Sequence, residues 1–492
     1  MSVSSRHLMM LLLIFAALPR FWALGEKSLW VDEAKSVQIS RRYEDILPYC
    51  RNGNTPPLRY YMLHVLQKGQ PPEAWVRLPS ALASLACIVL LYFIAARLFN
   101  KSIAIVTAVL FAFSPWQIDN AQDARMYSVF LSCVLFSIDA LFRAQESGRW
   151  RWWAYLGASM ALGAYLSYFA LWTSFIIVLY VLIARAIAWV KRADAGDFRN
   201  QLKSVGLLFA LTIAGLVYLP WLWNVLRLVL SYNPPPEASA VPAVPLLNPF
   251  LTHFNLQYID QFVIQMGCSI RLIAYSLLVL AIVGLITVWK TRRSFFLFCL
   301  LWFLVPLVIL FFSNVRFFFP QRYLIYYHPV YLILVSVGTL TIIESVAAAL
   351  SNALKQPIEK IRNTAIACML IVVLGGFAYD TRDILRREKQ DWRGAALYLA
   401  QHAHPGDTVI TGQAWTEQAL LFYLHPRPLG LSVVMHLYKL NELEEKLRTT
   451  PDVWYVSWGP LPAQVQQIVD RYLTIVKVLP GRSGDVSIYK RK

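Results

Sequence analysis

The sequence predicts an α-helical protein that crosses a membrane many times and carries a small α/β domain at its C-terminal end. Of its 492 residues, 58% are hydrophobic and only 15% are charged, whereas soluble domains carry roughly a quarter charged residues. The apolar residues form blocks of about 18 to 23, the length of helix that crosses a bilayer core of roughly 30 Å. Beyond residue 382 the blocks give way to alternating strand and helix patterns.

About eleven apolar segments are long enough to be membrane-spanning helices. They cover residues 8–25, 76–99, 102–118, 125–143, 153–169, 170–190, 204–225, 270–289, 295–313, 323–344 and 364–380. The first runs into Pro19 without a small-residue cleavage site, so we expect a retained helix rather than a signal peptide. An odd number of spans places the two ends of the chain on opposite sides of the membrane.

The positions of lysine and arginine predict the orientation. Basic short loops at 97–101, 143–151, 191–199, 290–293 and 355–362 alternate with loops that contain few basic residues. Basic short loops mark the cytoplasmic side, so we expect a multi-pass membrane protein with its N-terminus in the cytoplasm and its C-terminal part on the other side. Most of the net charge of +18 follows from this rule. Cations on the opposite face, including those of a basic first outer loop, are available for anionic lipid phosphate, whereas no pattern predicts nucleic-acid binding.

The change of composition divides the chain in two. We predict a transmembrane domain over residues 1–382 and an extracytoplasmic (periplasmic) α/β domain over residues 383–492. The second domain has predicted helices at 391–402, 440–447 and 463–472 and predicted strands at 407–412 and 453–458. The proline-rich residues 231–250 predict an extended outer loop. Cys50 and Cys268 could both lie outside the membrane, which is weak evidence for a disulfide.

Four polar clusters lie where predicted helices meet the outer face. They cover residues 28–34, 54–61, 122–127 and 320–323. In the first cluster, the adjacent carboxylates of Asp32 and Glu33 can supply a general base, although a lone Asp-Glu pair is more often a solvated helix cap.

The other three clusters each have two interpretations. The double proline at 56–57 is more often part of a loop than of a site. Asp123 fits a helix cap, whereas Arg125 at the same helix start could hold a phosphate. Arg322 fits either a phosphate contact or an anchor whose charged end reaches the membrane interface.

The motifs in these clusters occur in an order that resembles a known family. They are Ser-Leu-Trp-Val-Asp32-Glu33-Ala, Arg77-Leu-Pro-Ser-Ala-Leu, Gln122-Asp-Ala-Arg-Met-Tyr127, Pro320-Gln-Arg-Tyr and Asp391-Trp-Arg-Gly. The chain resembles, almost end to end, the bacterial glycosyltransferase family 39. This family has the GT-C fold and is related to the protein O-mannosyltransferases and to the aminoarabinose transferases that modify lipid A. Thr55 and Ser167 stand where family members often have His, which leaves the acceptor and any His-linked metal site open.

The resemblance implies an integral glycosyltransferase of the bacterial inner (cell) membrane. Such an enzyme moves a sugar from a polyprenyl-phosphate donor to an extracytoplasmic lipid, glycan or protein acceptor. Its leaving group is already an anionic phosphate, so the reaction needs one base and several cations rather than the acid and base pair of a glycosidase. A single displacement would invert the anomeric carbon. Asp32 is the candidate base, Glu33 its neighbour or an orienting group, and Asp123 a ligand of the acceptor or of a basic partner. The candidate ligands of the donor phosphate are Arg125, Arg322, Arg59 and Tyr323.

No cofactor is required for this chemistry. A divalent cation is possible at Asp32, Glu33, Asp123 and His328, although no metal-ligand spacing supports it. A nucleotide-sugar donor is disfavoured because no Gly-rich phosphate loop precedes a helix. A transporter or flippase of a lipid-linked sugar is the main alternative, but it would place ionisable residues near the midplane, often within inverted repeats. A non-catalytic scaffold would leave the four clusters unexplained.

Overall fold

The computed structural model describes residues 3–52, 55–67, 72–190, 198–231, 256–312, 321–413, 416–425, 430, 432–434 and 440–492. The loop predicted at 231–250 lies outside this set except for Ser231. Asn54 and Pro320, which belong to two of the polar clusters, also lie outside it.

Sixteen of the described helices precede the C-terminal sheet region and its own helices. They are α1 Val3–Phe21, α2 Val31–Ile39, α3 Tyr43–Asn52, α4 Leu58–Leu66, α5 Glu73–Leu98, α6 Lys101–Phe113, α7 Pro115–Ala121, α8 Tyr127–Ser147, α9 Trp150–Leu166, α10 Phe169–Val190, α11 Phe198–Ser231, α12 Leu256–Met266, α13 Arg271–Thr291, α14 Arg293–Phe312, α15 Tyr327–Leu354 and α16 Ile358–Arg386. A short 3-10 helix at Gln321–Leu324 precedes α15.

Helices occur at all eleven predicted spans. Within the described residues, seven helices are long and apolar enough to cross a membrane, or eight if the bent pair α6–α7 forms one span. The prediction of a multi-pass helical membrane protein is therefore confirmed. The total of eleven spans and the orientation of the two ends stay predictions.

The span predicted at 102–118 is broken. The axes of α6 and α7 meet at 57°, and Ser114 between them has the extended ψ angle of 126°. Pro115 explains the break, because proline has no N–H for the helical ladder and disfavours a helical conformation in the residue before it. Beyond the bend, residues 122–124 contact the first loop, and Asp119 lies near Lys389.

Two glycines allow α13 and α15 to approach closely. A Cβ atom at Gly338 would lie 1.9 Å from the carbonyl oxygen of Leu280, and one at Gly284 would lie 2.0 Å from that of Leu334. Small residues at such a crossing let two backbones pack directly, which is a common source of helix association inside membranes.

The part that follows α16, residues 387–492, forms an α/β unit that we call the C-terminal unit. It contains α17 Trp392–His402, β1 Thr408–Thr411, α18 Thr416–Leu424, β2 Ser432–Val434, α19 Leu440–Thr449, β3 Val453–Trp458, α20 Ala463–Tyr472, β4 Leu473–Leu479 and β5 Val486–Arg491. The strand order is β2-β1-β3-β5-β4; β1 is parallel to β2 and β3, and β5 is antiparallel to β3 and β4. The predicted fold class, a helical membrane protein with a C-terminal α/β part, is confirmed, whereas the domain boundary at 382 stays a prediction.

Candidate active site

The site lies where the first loop, the α7–α8 connection and the 3-10 helix meet the C-terminal unit. Asp32 is the second residue of α2, and its side chain is 28% exposed. Its Oδ2 atom lies 3.7 Å from an Nη2 atom of Arg125 and 3.7 Å from that of Arg322. These separations are too long for hydrogen bonds. Two cations therefore lie near one carboxylate oxygen without donating a hydrogen bond to it.

Glu33 lies next to Asp32 but is in a different environment. Its buried carboxylate accepts two hydrogen bonds from Arg77, at 2.9 and 2.8 Å, one from the Ala124 N–H at 2.7 Å and one from the Trp30 N–H at 3.2 Å. Each oxygen therefore accepts two hydrogen bonds. Of the two roles expected for Glu33, this geometry fits the orienting one, because the carboxylate is buried and both of its oxygens are occupied by hydrogen bonds from the protein.

Asp123 is also buried and engaged. Its Oδ1 atom accepts from the Trp30 indole N–H at 3.2 Å and from the Arg125 backbone N–H at 3.1 Å. Its Oδ2 atom lies 3.0 Å from the ammonium group of Lys389. Asp123 therefore holds a basic partner, which was one of its two expected roles.

Arg59 is a buried cation beside Arg125. Its guanidinium lies over the Tyr60 ring at 4.4 Å, donates to the Tyr60 hydroxyl, and has an Nε atom with no hydrogen-bond partner among the described residues. Burying a charge without a counter-ion is costly. Arg59 and Arg125 line the same small cavity, so the positive potential of this region favours an anion nearby.

Tyr323 flanks Arg322 from within the 3-10 helix. Its ring centroid lies 5.7 Å from the Arg322 guanidinium carbon and stacks on Phe169 at 5.1 Å. The nearby Tyr127 has a buried hydroxyl without a hydrogen-bond partner in the described part of the chain. Tyr127 belongs to the third polar cluster, but nothing in the sequence distinguishes it from a core tyrosine.

The site contains three further residues for which no role was predicted, namely Trp30, Arg77 and Lys389. Arg77 stands in a quoted motif, and its buried pairing with Glu33 could have been suggested by an arginine at the start of an apolar span. Lys389 is separated from Asp123 by 266 residues. A lone lysine in a polar linker carries no local signal of such a contact.

The four proposed metal ligands do not come together. Nε2 of His328 lies 3.1 Å from the Met266 carbonyl oxygen and Nδ1 lies 3.0 Å from the Gln117 amide nitrogen, while Glu33 is engaged by Arg77. Among the residues that the structure describes, no three His, Cys, Asp or Glu side chains are grouped as metal ligands. These four residues, which were considered as possible ligands of a divalent cation, therefore do not group as a metal site.

The fold is that of the GT-C glycosyltransferases. The crystal structure of ArnT from Cupriavidus metallidurans in the apo state matches 99% of this chain and 98% of its own, with a TM-score of 0.57 and 16% identity. The same protein bound to undecaprenyl phosphate matches with a TM-score of 0.58 and 14% identity, over 98% and 97% of the two chains. Archaeal oligosaccharyltransferase AglB from Archaeoglobus fulgidus, in complex with an inhibitory peptide and a dolichol-phosphate, matches with a TM-score of 0.56 and 12% identity, over 100% of this chain and 75% of its own.

A family model agrees with the fold. Residues 54–223 match the model of the dolichyl-phosphate-mannose-protein mannosyltransferases, whereas a comparison with curated protein sequences gives no match. The predicted resemblance is confirmed: the chain has the GT-C fold, and residues 54–223 match a family of membrane glycosyltransferases.

Proposed function

We propose that this chain transfers a sugar from a polyprenyl-phosphate donor to an extracytoplasmic acceptor, with inversion at the anomeric carbon. The observation that carries the proposal is the convergence of Arg125 and Arg322 on Oδ2 of the partly exposed Asp32. Since neither guanidinium is hydrogen-bonded to that carboxylate, both can donate to a phosphate. The match to a structure with bound undecaprenyl phosphate supports this class of donor.

In the proposed reaction Asp32 removes the proton from the acceptor hydroxyl group. The resulting oxygen attacks the anomeric carbon as the bond from that carbon to the phosphate oxygen breaks. The electron pair of this bond stays on the leaving polyprenyl phosphate, whose added negative charge Arg125 and Arg322 stabilise. Arg59 contributes positive potential from the adjacent cavity, and Tyr323 supports the side chain of Arg322.

We place this site on the extracytoplasmic face of a bacterial inner membrane, with the N-terminus in the cytoplasm and the α/β domain of residues 383–492 outside. The support is the concentration of basic short loops on the opposite side of the predicted topology. Polyprenyl-linked sugars presented on that face replace the nucleotide sugars of the cytoplasm as donors.

The donor is tested with purified protein in detergent or proteoliposomes. We expect sugar transfer from a polyprenyl monophosphate sugar and none from nucleotide sugars when carrier lipid and carrier synthase are absent. Efficient transfer directly from a nucleotide sugar would contradict the proposal. Movement of the lipid-linked sugar across vesicles without transfer to an acceptor would favour a flippase instead.

The assignment of the base is tested with Asp32→Asn. This variant keeps the shape of the side chain and removes the proton acceptor, so the single-turnover rate should fall by roughly two to four orders of magnitude. Donor binding should persist. If Asp32→Asn turns over normally while Asp123→Asn is inactive, the base has been assigned to the wrong aspartate.

The phosphate contacts are tested with Arg125→Ala and Arg322→Ala. Each removes a charge-assisted contact of about 1.5–3 kcal/mol, which corresponds to a roughly 10- to 150-fold weaker affinity for polyprenyl phosphate. Arg42→Ala is the matched control, because this exposed arginine of the first loop pairs only with Glu44 and Asp45 among its described ion pairs. Equal affinities for all three variants would remove the two arginines from the donor site.

A further inference from the structure

The C-terminal unit holds the segment that leads into α2. Three consecutive or nearly consecutive N–H groups donate to its side chains: Ser28 to Glu388 at 2.9 Å, Leu29 to Tyr423 at 2.7 Å and Val31 to Gln390 at 3.0 Å. Such N–H groups at the start of a helix have no partner within the helix. Because Asp32 follows directly, its position depends on contacts supplied by the far end of the chain.

Lys389 extends from the same segment into the acidic part of the site. Its ammonium group lies 3.0 Å from Asp123 and 3.9 Å from Asp119, and 4.2 Å from the centre of the Trp30 ring. Burial alone would lower the pKa of Lys389, but the carboxylates of Asp123 and Asp119 raise it above its ordinary value. Lys389 is therefore a fixed positive charge.

Trp30 connects Lys389 to the proposed phosphate site. The Arg322 guanidinium carbon also lies over the Trp30 ring, at 5.5 Å, while the indole N–H donates to Asp123. The ring thus contacts two cations, one from the C-terminal unit and one from the 3-10 helix. A displaced Trp30 would move Arg322 as well.

The backbone of Lys389 is fixed by the turn between β4 and β5. The Ser483 N–H and hydroxyl groups donate to the Lys389 carbonyl oxygen at 3.1 and 2.8 Å, and Arg482 of the same turn pairs with Asp119 at 2.7 Å. Gly481 lies so close that an added Cβ would be 2.8 Å from this carbonyl oxygen. The sheet therefore supports Lys389 directly.

We propose that Lys389 is a positioning residue for the transfer reaction: it neutralises Asp123 and supports Trp30, so that Arg125 and Arg322 stay directed towards Asp32 and the donor phosphate. This inference rests on the proposed function. Without Lys389, Asp123 becomes a buried carboxylate with no cationic partner at 4 Å or less among the described residues. Arg125 is hydrogen-bonded to Asp123 through its backbone N–H, so its guanidinium is close enough in the chain to be drawn away from Asp32 by the unpaired carboxylate.

The test compares Lys389→Met with the double variant Lys389→Met/Asp123→Asn. We expect the single variant to lower the single-turnover rate on the order of 100-fold, the scale of a misplaced reacting group. The double variant carries no uncompensated carboxylate, so its single-turnover rate should be at least tenfold higher than that of Lys389→Met. Lys389→Arg should retain most of the activity. A residue needed only for folding would not give this recovery.

Lys490→Met is the matched control, because Lys490 also belongs to the C-terminal unit and lies over a tryptophan, Trp454, at 4.7 Å. Its rate should equal that of the wild type. If Lys389→Met does not give folded protein, Lys389→Gln keeps a hydrogen-bond donor without the charge, and the same recovery by Asp123→Asn is expected.

Two outcomes overturn the inference. One is a Lys389→Met rate equal to that of the Lys490→Met control. The other is a double variant whose loss of rate equals the combined losses of Lys389→Met and Asp123→Asn measured separately. Either result leaves the proposed function intact as long as Asp32→Asn is inactive. Full activity of Asp32→Asn would instead overturn the proposed function itself.

Discussion

Replacing Glu33 by Gln separates the structural role of this residue from the base role proposed for Asp32. Each oxygen of Glu33 accepts two hydrogen bonds: Oε1 from Arg77 and the Ala124 N–H, and Oε2 from Arg77 and the Trp30 N–H. A glutamine must place an NH2 group where one of these oxygens stands. Whichever way the amide is turned, its NH2 group faces the two N–H donors that the replaced oxygen had accepted from.

The expected loss of stability follows from the burial of this pair. Arg77 is 4% exposed and keeps its bonds to the carbonyl oxygens of Leu24, Lys27 and Ser28, but its charge loses the Glu33 carboxylate. Removing one partner of a buried ion pair costs about 3–5 kcal/mol. Asp32→Asn should cost about 0–1 kcal/mol, because its two ion pairs are long and partly exposed.

The free energy of unfolding is measured in mixed micelles against increasing denaturing detergent, together with single-turnover rates under conditions where each variant is folded. Glu33→Gln should be destabilised but, once folded, within about tenfold of the wild-type rate, whereas Asp32→Asn should be stable and slow. Arg77→Met/Glu33→Gln, which buries no unpaired charge, should be more stable than Glu33→Gln alone. A Glu33→Gln protein that is as stable as the wild type but inactive would refute this reasoning and place Glu33 against the substrate.

Three further predictions concern the rest of the molecule. Burial lowers the pKa of Lys27 from 10.5 to about 8. Between these pH values the unfolded chain binds more protons than the folded protein, so the free energy of unfolding should rise with pH. Lys27→Met should flatten this rise, as measured by the unfolding midpoint at each pH. Gly338→Ala should lower the unfolding free energy by about 1–3 kcal/mol, because the added Cβ would lie 1.9 Å from the Leu280 carbonyl oxygen; an unchanged midpoint would contradict the close packing. A cysteine replacing Gln464 should react with an impermeant maleimide in intact cells and one replacing Gln356 only after lysis; the reverse pattern would invert the proposed orientation.

The membrane helices could be predicted because apolar length alone identifies them. The break at Ser114 was missed because the apolar pattern continues through it, although Pro115 was a signal of the bend. Strand β4 was also missed. Leu473–Leu479 follows α20 directly, and no turn residue marks the start of the strand.

In the site, the sequence placed acids and arginines near one another but could not assign their partners. Asp32 and Glu33 are adjacent carboxylates with equivalent local signals. They are distinguished only by their partners in the fold: Arg77 pairs with Glu33, whereas Arg125 lies near the partly exposed Asp32. The partner of Asp123 could not be predicted either, because Lys389 lies 266 residues away in the sequence. Local pattern cannot show such a contact.

The contacts between the first loop and the C-terminal unit also set an order of events during synthesis. The Glu33–Arg77 pair joins residues 44 positions apart and can form early, whereas the bonds from Ser28 and Val31 to the C-terminal unit span 360 and 359 positions. At about 5–20 residues per second, roughly 20–70 s separate the translation of Asp32 from that of Lys389. A nascent chain can therefore insert most of its helices long before its site is complete. Transfer activity would be the last property that the growing protein acquires, and a chain cut short in the sheet would be inserted but inert.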